Sequence, residues 1–140
     1  ETKLLINNAL NGKMMDVEYQ EMLQVACTNI TNFRLEVAYQ SLEKLWDAFE
    51  RLKCYFHQED KNLKKASVIR IISLFADNQV FQLEVEAEML KVTALGNSLR
   101  IRHSEPHQST LTNHRQINYL FRRCLALVVL IQDQIVTSNM

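Results

Sequence analysis

Glycine and proline are almost absent from this chain, and their scarcity limits the folds available to it. The 140 residues include two glycines and one proline, although folds built from strands need such residues at their frequent turns. Residues that favour helices, above all Leu, Glu, Gln and Ala, are plentiful. A chain of this length buries one core. The sequence therefore predicts a single all-α domain over residues 1–140, a bundle of about five to six helices.

The expected helices follow from capping residues, helix breakers and apolar residues at three- and four-residue steps. We expect Asn32 to cap the third helix, whose core stripe runs from Leu35 to Phe56 and includes Trp46. The other predicted boundaries are a left-handed cap at Asn11-Gly12, a start after Asp16, a loop at 57–62, a break at 76–78, a fifth helix over about 79–99 and a cap at Thr112 or Asn113.

The last helix contains the longest apolar run of the sequence, from Cys124 to Ile131. This run is far shorter than the roughly 20 residues that a membrane span needs. A helix that is apolar on every side lies at the centre of a bundle or in a subunit interface. We therefore expect a buried helix, at the bundle centre or in a subunit interface, and we predict that this helix and the motif-bearing helix end form a symmetric dimer interface.

Charge is balanced over the whole chain but unevenly placed along it. The net charge is +0, yet residues 97–140 carry five arginines against two acidic residues. Zero net charge argues against a protein that coats nucleic acid through many phosphate contacts. A local cluster of arginines still permits binding of an anion at one place, so we expect any contact with nucleic acid to be focal.

The three cysteines, Cys27, Cys54 and Cys124, have neither CxxC spacing nor a close histidine. They indicate neither a disulfide framework nor a zinc site, and we expect reduced packing residues in a cytoplasmic protein. The chain shows no signal-peptide pattern. It begins with Glu1 rather than Met, which suggests an excised domain or a processed product.

One short segment combines the side chains needed to act on a phosphodiester. Arg102 and His107 stand five positions apart, with His103 between them, at a predicted helix end and the loop that follows. A guanidinium can hold a phosphate through two parallel hydrogen bonds, and imidazole can move a proton near neutral pH. Together they can drive a ribose 2′-hydroxyl onto the adjacent phosphorus without a metal. RNA is the expected substrate, because DNA lacks that hydroxyl.

This spacing alone is weak, since a basic loop is usually solvated surface. The segment Arg102-His103-Ser104-Glu105-Pro106-His107, however, resembles the HEPN motif, which consists of Arg, a polar residue, three arbitrary residues and His. Three surrounding segments are similar to bacterial abortive-infection-like HEPN proteins: residues 42–53, 96–105 and 119–127. The resemblance covers about residues 38–130 and leaves the first thirty or so without a role.

The resemblance implies a helical bundle with the motif before the last long helix, and a homodimer in which two motifs face each other across a composite cleft. It implies that Arg102 holds the scissile phosphate, that His107 transfers the proton and that His103 assists, with no cofactor. It also implies a defence or toxin setting, with an antitoxin or a fused sensor domain as a possible partner. Ser104 and Pro106 depart from the relatives, and Pro106 biases Glu105 towards extended backbone, which leaves the presentation of His107 open.

Several other residues are either part of the RNA-binding site or ordinary surface residues. Arg100, His114, Arg115, Arg122 and Arg123 extend an RNA groove or are solvated or salt-bridged surface groups. Arg51 and His57 form an Arg-x5-His pair, one residue wider than the pair Arg102 and His107, but their place at the end of an amphipathic helix favours a surface role. A non-catalytic HEPN domain that binds RNA or nucleotide, or that serves as a dimerisation or sensor module, is the main alternative to the ribonuclease. A purely structural adaptor would leave the motif unexplained.

Overall fold

All regular structure in the described part of the chain is helical, which confirms the predicted all-α fold. The computed structural model describes residues 2–12, 15–99, 101 and 108–139. Six α-helices lie within these residues: α1 (Thr2–Asn11), α2 (Val17–Asn29), α3 (Leu35–Leu52), α4 (Lys64–Ser73), α5 (Gln79–Ser98) and α6 (His114–Ser138). Two 3₁₀ turns, Tyr55–His57 and Lys61–Leu63, overlap the two ends of the predicted loop between α3 and α4.

Three of the helices begin where their capping residues predict. The side chains of Asp16, Asn78 and Asn113 each accept a hydrogen bond from the backbone N–H three residues further on. Each cap satisfies one of the free N–H groups at a helix start. Between Thr112 and Asn113, the two alternatives for α6, the structure selects Asn113.

The predicted start of α3 at Asn32 is wrong. The Asn32 side chain accepts a hydrogen bond from Arg34 N at 2.9 Å, which closes a local Asx turn instead of a helix cap. The helix begins at Leu35. Arg34, two residues after Asn32, occupies the cap position and makes no side-chain capping hydrogen bond. Asn serves both purposes equally well, so the sequence signal is ambiguous here.

The core is built around α3 and α6. The residues buried on α3 include Leu42, Leu45, Trp46 and Phe49, and Trp46 Nε1 donates a hydrogen bond to Val92 O of α5 at 2.9 Å. Trp46 is therefore a core residue, as expected for an indole whose N–H finds a buried acceptor. The predicted stripe ends at Leu52, because the chain turns there and Phe56 lies half-buried in the first 3₁₀ turn.

The apolar run of α6 lies at the centre of the bundle. Six of its eight residues are buried by the rest of the same chain: Cys124, Leu125, Leu127, Val128, Val129 and Ile131. Because these side chains are already covered, they are not available to a second subunit. Of the two alternatives for this run, the structure supports the bundle centre.

The first helix is fastened to α6 by a buried amide. Gln132 accepts a hydrogen bond from the Tyr19 hydroxyl at 2.6 Å and donates one to Ala9 O at 3.2 Å. Gly12 lies against the same side chain, and a Cβ there would stand 2.3 Å from Gln132 Nε2. The predicted left-handed cap at Gly12 is wrong, because the described glycines have no positive φ and Met15 adopts φ 66° instead.

The cysteines are free, as expected, and two of them pack in the core. Cys27 and Cys124 are buried and Cys54 is half-buried. Burial raises the pKa of the Cys27 thiol to about 11 and holds the pKa of Cys124 well above its usual value. Both thiols therefore stay protonated at neutral pH, and a protonated thiol is a poor nucleophile.

Helices long and apolar enough to cross a membrane do not occur among the described residues.

Candidate active site at the α5–α6 junction

The motif occupies the connection between the last two helices, as predicted, but its own residues lie outside those that the structure describes. Arg100, Arg102, His103 and His107 all fall in this undescribed part. The described geometry is therefore that of the flanks: Leu99 and Ile101 before the motif, and the segment from Gln108 to Leu111 after it.

The residues immediately before and after the motif are anchored. Ile101 is 1% exposed, and its N–H donates to Gly96 O at 3.1 Å. Gln108 is also buried, and its side-chain amide donates to Asn97 O at 2.5 Å. One residue further, Ser109 N donates to Ser98 O at 3.0 Å. The chain thus returns from the motif to the end of the helix from which it left.

A tyrosine from α3 connects the two flanks a second time. The Tyr39 hydroxyl donates to Leu99 O at 2.8 Å and accepts a hydrogen bond from Leu111 N at 3.2 Å. One hydroxyl therefore serves as donor to one side of the motif and acceptor from the other. Sequence reasoning assigned Tyr39 to the core stripe alone, and its hydroxyl role carries no sequence signal because the partners are backbone atoms.

The surface following the motif carries the described basic candidates. Arg115 and Arg122 are exposed on α6, seven residues apart, and Tyr119 lies between them on the same face with 58% of its surface exposed. Spacings of three and four residues place these side chains in one row along the helix. Sequence reasoning missed Tyr119, although the pattern Arg-x3-Tyr-x2-Arg was readable in the sequence.

The third basic candidate, His114, lies at the start of α6 and contacts another loop. Its Nε2 atom is 3.3 Å from Asn32 O in the connection between α2 and α3. The next residue of that connection, Phe33, is 87% exposed. An aromatic side chain is thus presented to solvent beside the start of the basic row.

Two further arginines that the sequence left open are held in ion pairs. Arg123 forms a two-pronged pair with Glu88 of α5, at 2.9 and 2.7 Å, and this hydrogen bonding holds the pKa of Glu88 below its usual value. Arg51 pairs with Asp16 at 2.5 Å and with Glu18 at 3.1 Å. Arg51 therefore connects α3 to the start of α2, which supports the structural interpretation of the Arg51–His57 spacing.

Groups of three or more His, Cys, Asp or Glu side chains able to hold a metal ion do not occur in the described ranges. Comparisons of the chain with protein-family models, curated proteins and solved structures gave no match. The resemblance to HEPN proteins therefore rests on the motif and the three segments around it.

Proposed function

We propose that this chain is a metal-independent endoribonuclease of the HEPN type. Arg102 holds the scissile phosphate, His107 transfers the proton and His103 assists as a polar group. The observation that carries the proposal is the motif itself, placed between two helices with a buried residue on either side, Ile101 and Gln108. Anchored flanks favour catalysis, because reacting groups must be held in position with little freedom.

The reaction needs only these side chains and the RNA. The ribose 2′-oxygen forms a bond to phosphorus while the bond from phosphorus to the 5′-oxygen of the next nucleotide breaks. One imidazole accepts the 2′-proton and an imidazolium gives a proton to the departing 5′-oxygen. Arg102 neutralises the charge that develops on the other phosphate oxygens. The products are a 2′,3′-cyclic phosphate and a 5′-hydroxyl.

The proposal includes a homodimer whose two motifs face each other, so that the imidazole acting as base and the imidazolium acting as acid come from different copies. It also includes the setting of the resembled proteins, which is bacterial defence or toxicity under the control of an antitoxin or of a sensor domain on the same chain. Arg100 and His114 extend the site on either side of the motif.

The exposed row on α6 suits single-stranded RNA. Arg115 and Arg122 offer charge to phosphates, while Tyr119 and Phe33 offer flat faces on which bases stack. Stacking on aromatic side chains combined with a few positive charges is the usual means of binding single strands. The row starts eight residues after His107 along the chain, and the proposal is that RNA bound there extends to the motif.

The test is cleavage of RNA in the presence of a chelator. We expect cleavage that leaves 2′,3′-cyclic phosphate ends and that stops when the cut site carries a 2′-deoxy nucleotide. His107→Ala should lower the rate by about a hundred- to ten-thousandfold with unchanged thermal unfolding. The matched control is His57→Ala, which should keep full activity.

The same experiment separates the ribonuclease from its main alternative. Binding of RNA or nucleotide without cleavage in any ionic condition would favour a non-catalytic HEPN domain that acts in binding, dimerisation or sensing. Cleavage that a chelator abolishes and magnesium restores would contradict the proposed chemistry.

A further inference from the structure

Helix α5 has two apolar faces, of which the bundle covers only one. The inner face carries Val85, Met89, Val92 and Gly96, all buried. The opposite face is exposed, and we call it the outer row. It consists of Val80, Leu83, Ala87, Leu90 and Ala94. Val80, Leu83 and Leu90 are 75%, 66% and 69% exposed. Large apolar residues in one continuous row on a surface mark a contact site.

The spacing of the outer row is that of a helix-pairing surface. Its members follow one another at steps of three, four, three and four residues, the heptad pattern by which two helices pack side by side. Val80, Ala87 and Ala94 occupy one heptad position, and Leu83 and Leu90 occupy the other. The first heptad position thus holds mostly small side chains, and the second holds a large leucine side chain each time.

We propose that α5 binds a second copy of this chain, with the two α5 helices antiparallel about a two-fold axis. In this arrangement Ala87 faces Leu90 of the partner subunit, and Leu83 faces Ala94 of the partner subunit. Each layer then combines one large and one small side chain, so the helices keep a constant separation. A parallel pair would stack Ala on Ala and Leu on Leu, which leaves voids at the alanine layers.

Charges beside the outer row are complementary in the same arrangement. Glu84 and Lys91 flank the row on one side, are exposed, and form no ion pair within the part of the chain that the structure describes. Antiparallel pairing sets Glu84 against Lys91 of the partner subunit, and the two-fold axis repeats this pair. A contact in which the same surface complements itself is what a symmetric dimer requires.

This inference does not rest on the ribonuclease proposal. The axis passes between Ala87 and Leu90, so the two copies of Leu99, next to the motifs, lie about 30 Å apart along the helices. The α5 contact is therefore distinct from the proposed two-motif cleft. A chain that forms both contacts assembles beyond a dimer, into a closed tetramer where the two axes meet at right angles, and one that forms the α5 contact alone is a dimer.

The first test is sedimentation equilibrium up to about 100 micromolar. We expect self-association, and we expect Leu83→Glu to raise the dissociation constant of the α5 contact at least about a hundredfold by burying unpaired charge. Ile69→Glu is the matched control, since Ile69 is 61% exposed on α4. A monomer at every concentration, or association that Leu83→Glu leaves unchanged, would overturn the proposal.

The second test fixes the orientation. Glu84→Lys should weaken association about tenfold, and Glu84→Lys with Lys91→Glu should restore it. Glu86→Lys should have little effect, because Glu86 would face Lys91 only in a parallel pair. A charge exchange that works between 86 and 91 instead of between 84 and 91 would overturn the antiparallel arrangement.

Cross-linking gives a readout that depends on neither affinity nor activity. Leu83→Cys combined with Ala94→Cys should give a disulfide-linked dimer under mild oxidation. Leu83→Cys alone should not, since the two copies of residue 83 would be about 16 Å apart along the helices. Rapid cross-linking by Leu83→Cys alone would contradict the proposal. Loss of RNA cleavage with cross-linking intact would refute only the ribonuclease.

Discussion

At the scale of single residues, a largely buried carboxylate pairs with one buried and one partly exposed lysine. Glu50 is 15% exposed in its side chain and Lys53 is 8% exposed, at 2.9 Å from each other. Lys64 also pairs with Glu50, and Lys53 donates to Thr93 Oγ1 of α5 at 2.8 Å. Charges removed from water must be paired and hydrogen-bonded to be tolerated. The network therefore connects α3, α4 and α5.

The Glu50 network gives the protein a defined response to acid. Burial acts to raise the pKa of Glu50, but the charge of Lys53 and hydrogen bonds from Lys64 and Lys53 outweigh it and hold the pKa below its usual value. A carboxyl with a lowered pKa in the folded state contributes stability above its unfolded pKa of about 4.3, and loses it as pH falls through the folded value. We expect the free energy of unfolding, measured in urea, to fall below about pH 5.

Glu50→Gln should reduce that pH dependence and should lower stability at neutral pH by about 2 kcal/mol or more, because Lys53 loses its buried partner. Glu43→Gln is the contrasting control. Burial and the neighbouring Asp47 raise the pKa of Glu43, so removing its charge should make the protein slightly more stable at neutral pH. Equal pH profiles for the parent and Glu50→Gln would contradict the assignment.

Tyr39 is the residue whose contacts bear most directly on the candidate site. Tyr39→Phe keeps the ring and removes the hydroxyl that joins Leu99 O to Leu111 N. We expect a loss of about 0.5–1.5 kcal/mol in the free energy of unfolding. If the ribonuclease proposal holds, kcat should fall at least about tenfold with little change in KM, because the flanks of the motif lose their shared anchor.

A control separates positioning from general stability. Ser41→Ala also removes a hydroxyl from α3, one that donates to Ala26 O, away from the motif. It should cost similar stability and leave kcat unchanged. Equal losses of kcat in the two variants would show that Tyr39 acts through stability alone.

At the scale of elements, the attachment of α1 to the bundle depends on close approach at Gly12. Gly12→Ala should lower the free energy of unfolding by about 1–3 kcal/mol, because the new Cβ displaces the Gln132 amide from the Tyr19 hydroxyl and Ala9 O. The backbone at Gly12 needs no positive φ, so the cost comes from the side chain. Gly12→Ala should add little cost in a Gln132→Ala background, as a double-mutant cycle would measure. Full additivity would contradict this account.

Elements were predictable from the sequence where a capping residue directly precedes a helical pattern. Asp16 and Asn113 were readable in this way, whereas Asn78 was readable as the end of a break between helices. Asn32 and Gly12 were not, since Asn closes turns as readily as it caps helices and Gly permits close approach as readily as positive φ. The second apolar face of α5 is visible in the sequence as apolar residues at heptad spacing. It was missed because each helix was expected to have a single apolar face.

At the scale of the whole molecule, the all-α class followed from composition, whereas the surroundings of the site depended on long-range contacts. The core position of Trp46 and the burial of the α6 run were predictable because large apolar residues in a small domain have few places outside the core, but the sequence left open whether the run is buried in the bundle or in a subunit interface. The hydrogen bonds of Tyr39 to the two flanks of the motif were not predictable. They join Tyr39 to Leu99, 60 positions further along the chain, and to Leu111, 72 positions further along. The sequence therefore indicated the candidate site residues, but not what anchors their neighbours.

If the chain binds RNA as proposed, its zero net charge bears on the salt dependence of that binding. A protein without surplus charge has few phosphate contacts to offer, and each contact with a single strand contributes about 0.7 to the slope of log K against log salt. We expect a slope of roughly −2 to −3, which corresponds to about three or four phosphates. Arg115→Ala and Arg122→Ala should each reduce its magnitude by about 0.7. Arg70→Ala is the control, because Arg70 stacks on the Phe56 ring at 4.3 Å and belongs to α4. A slope steeper than about −6 would indicate a broad electrostatic surface that the charges of this chain do not provide.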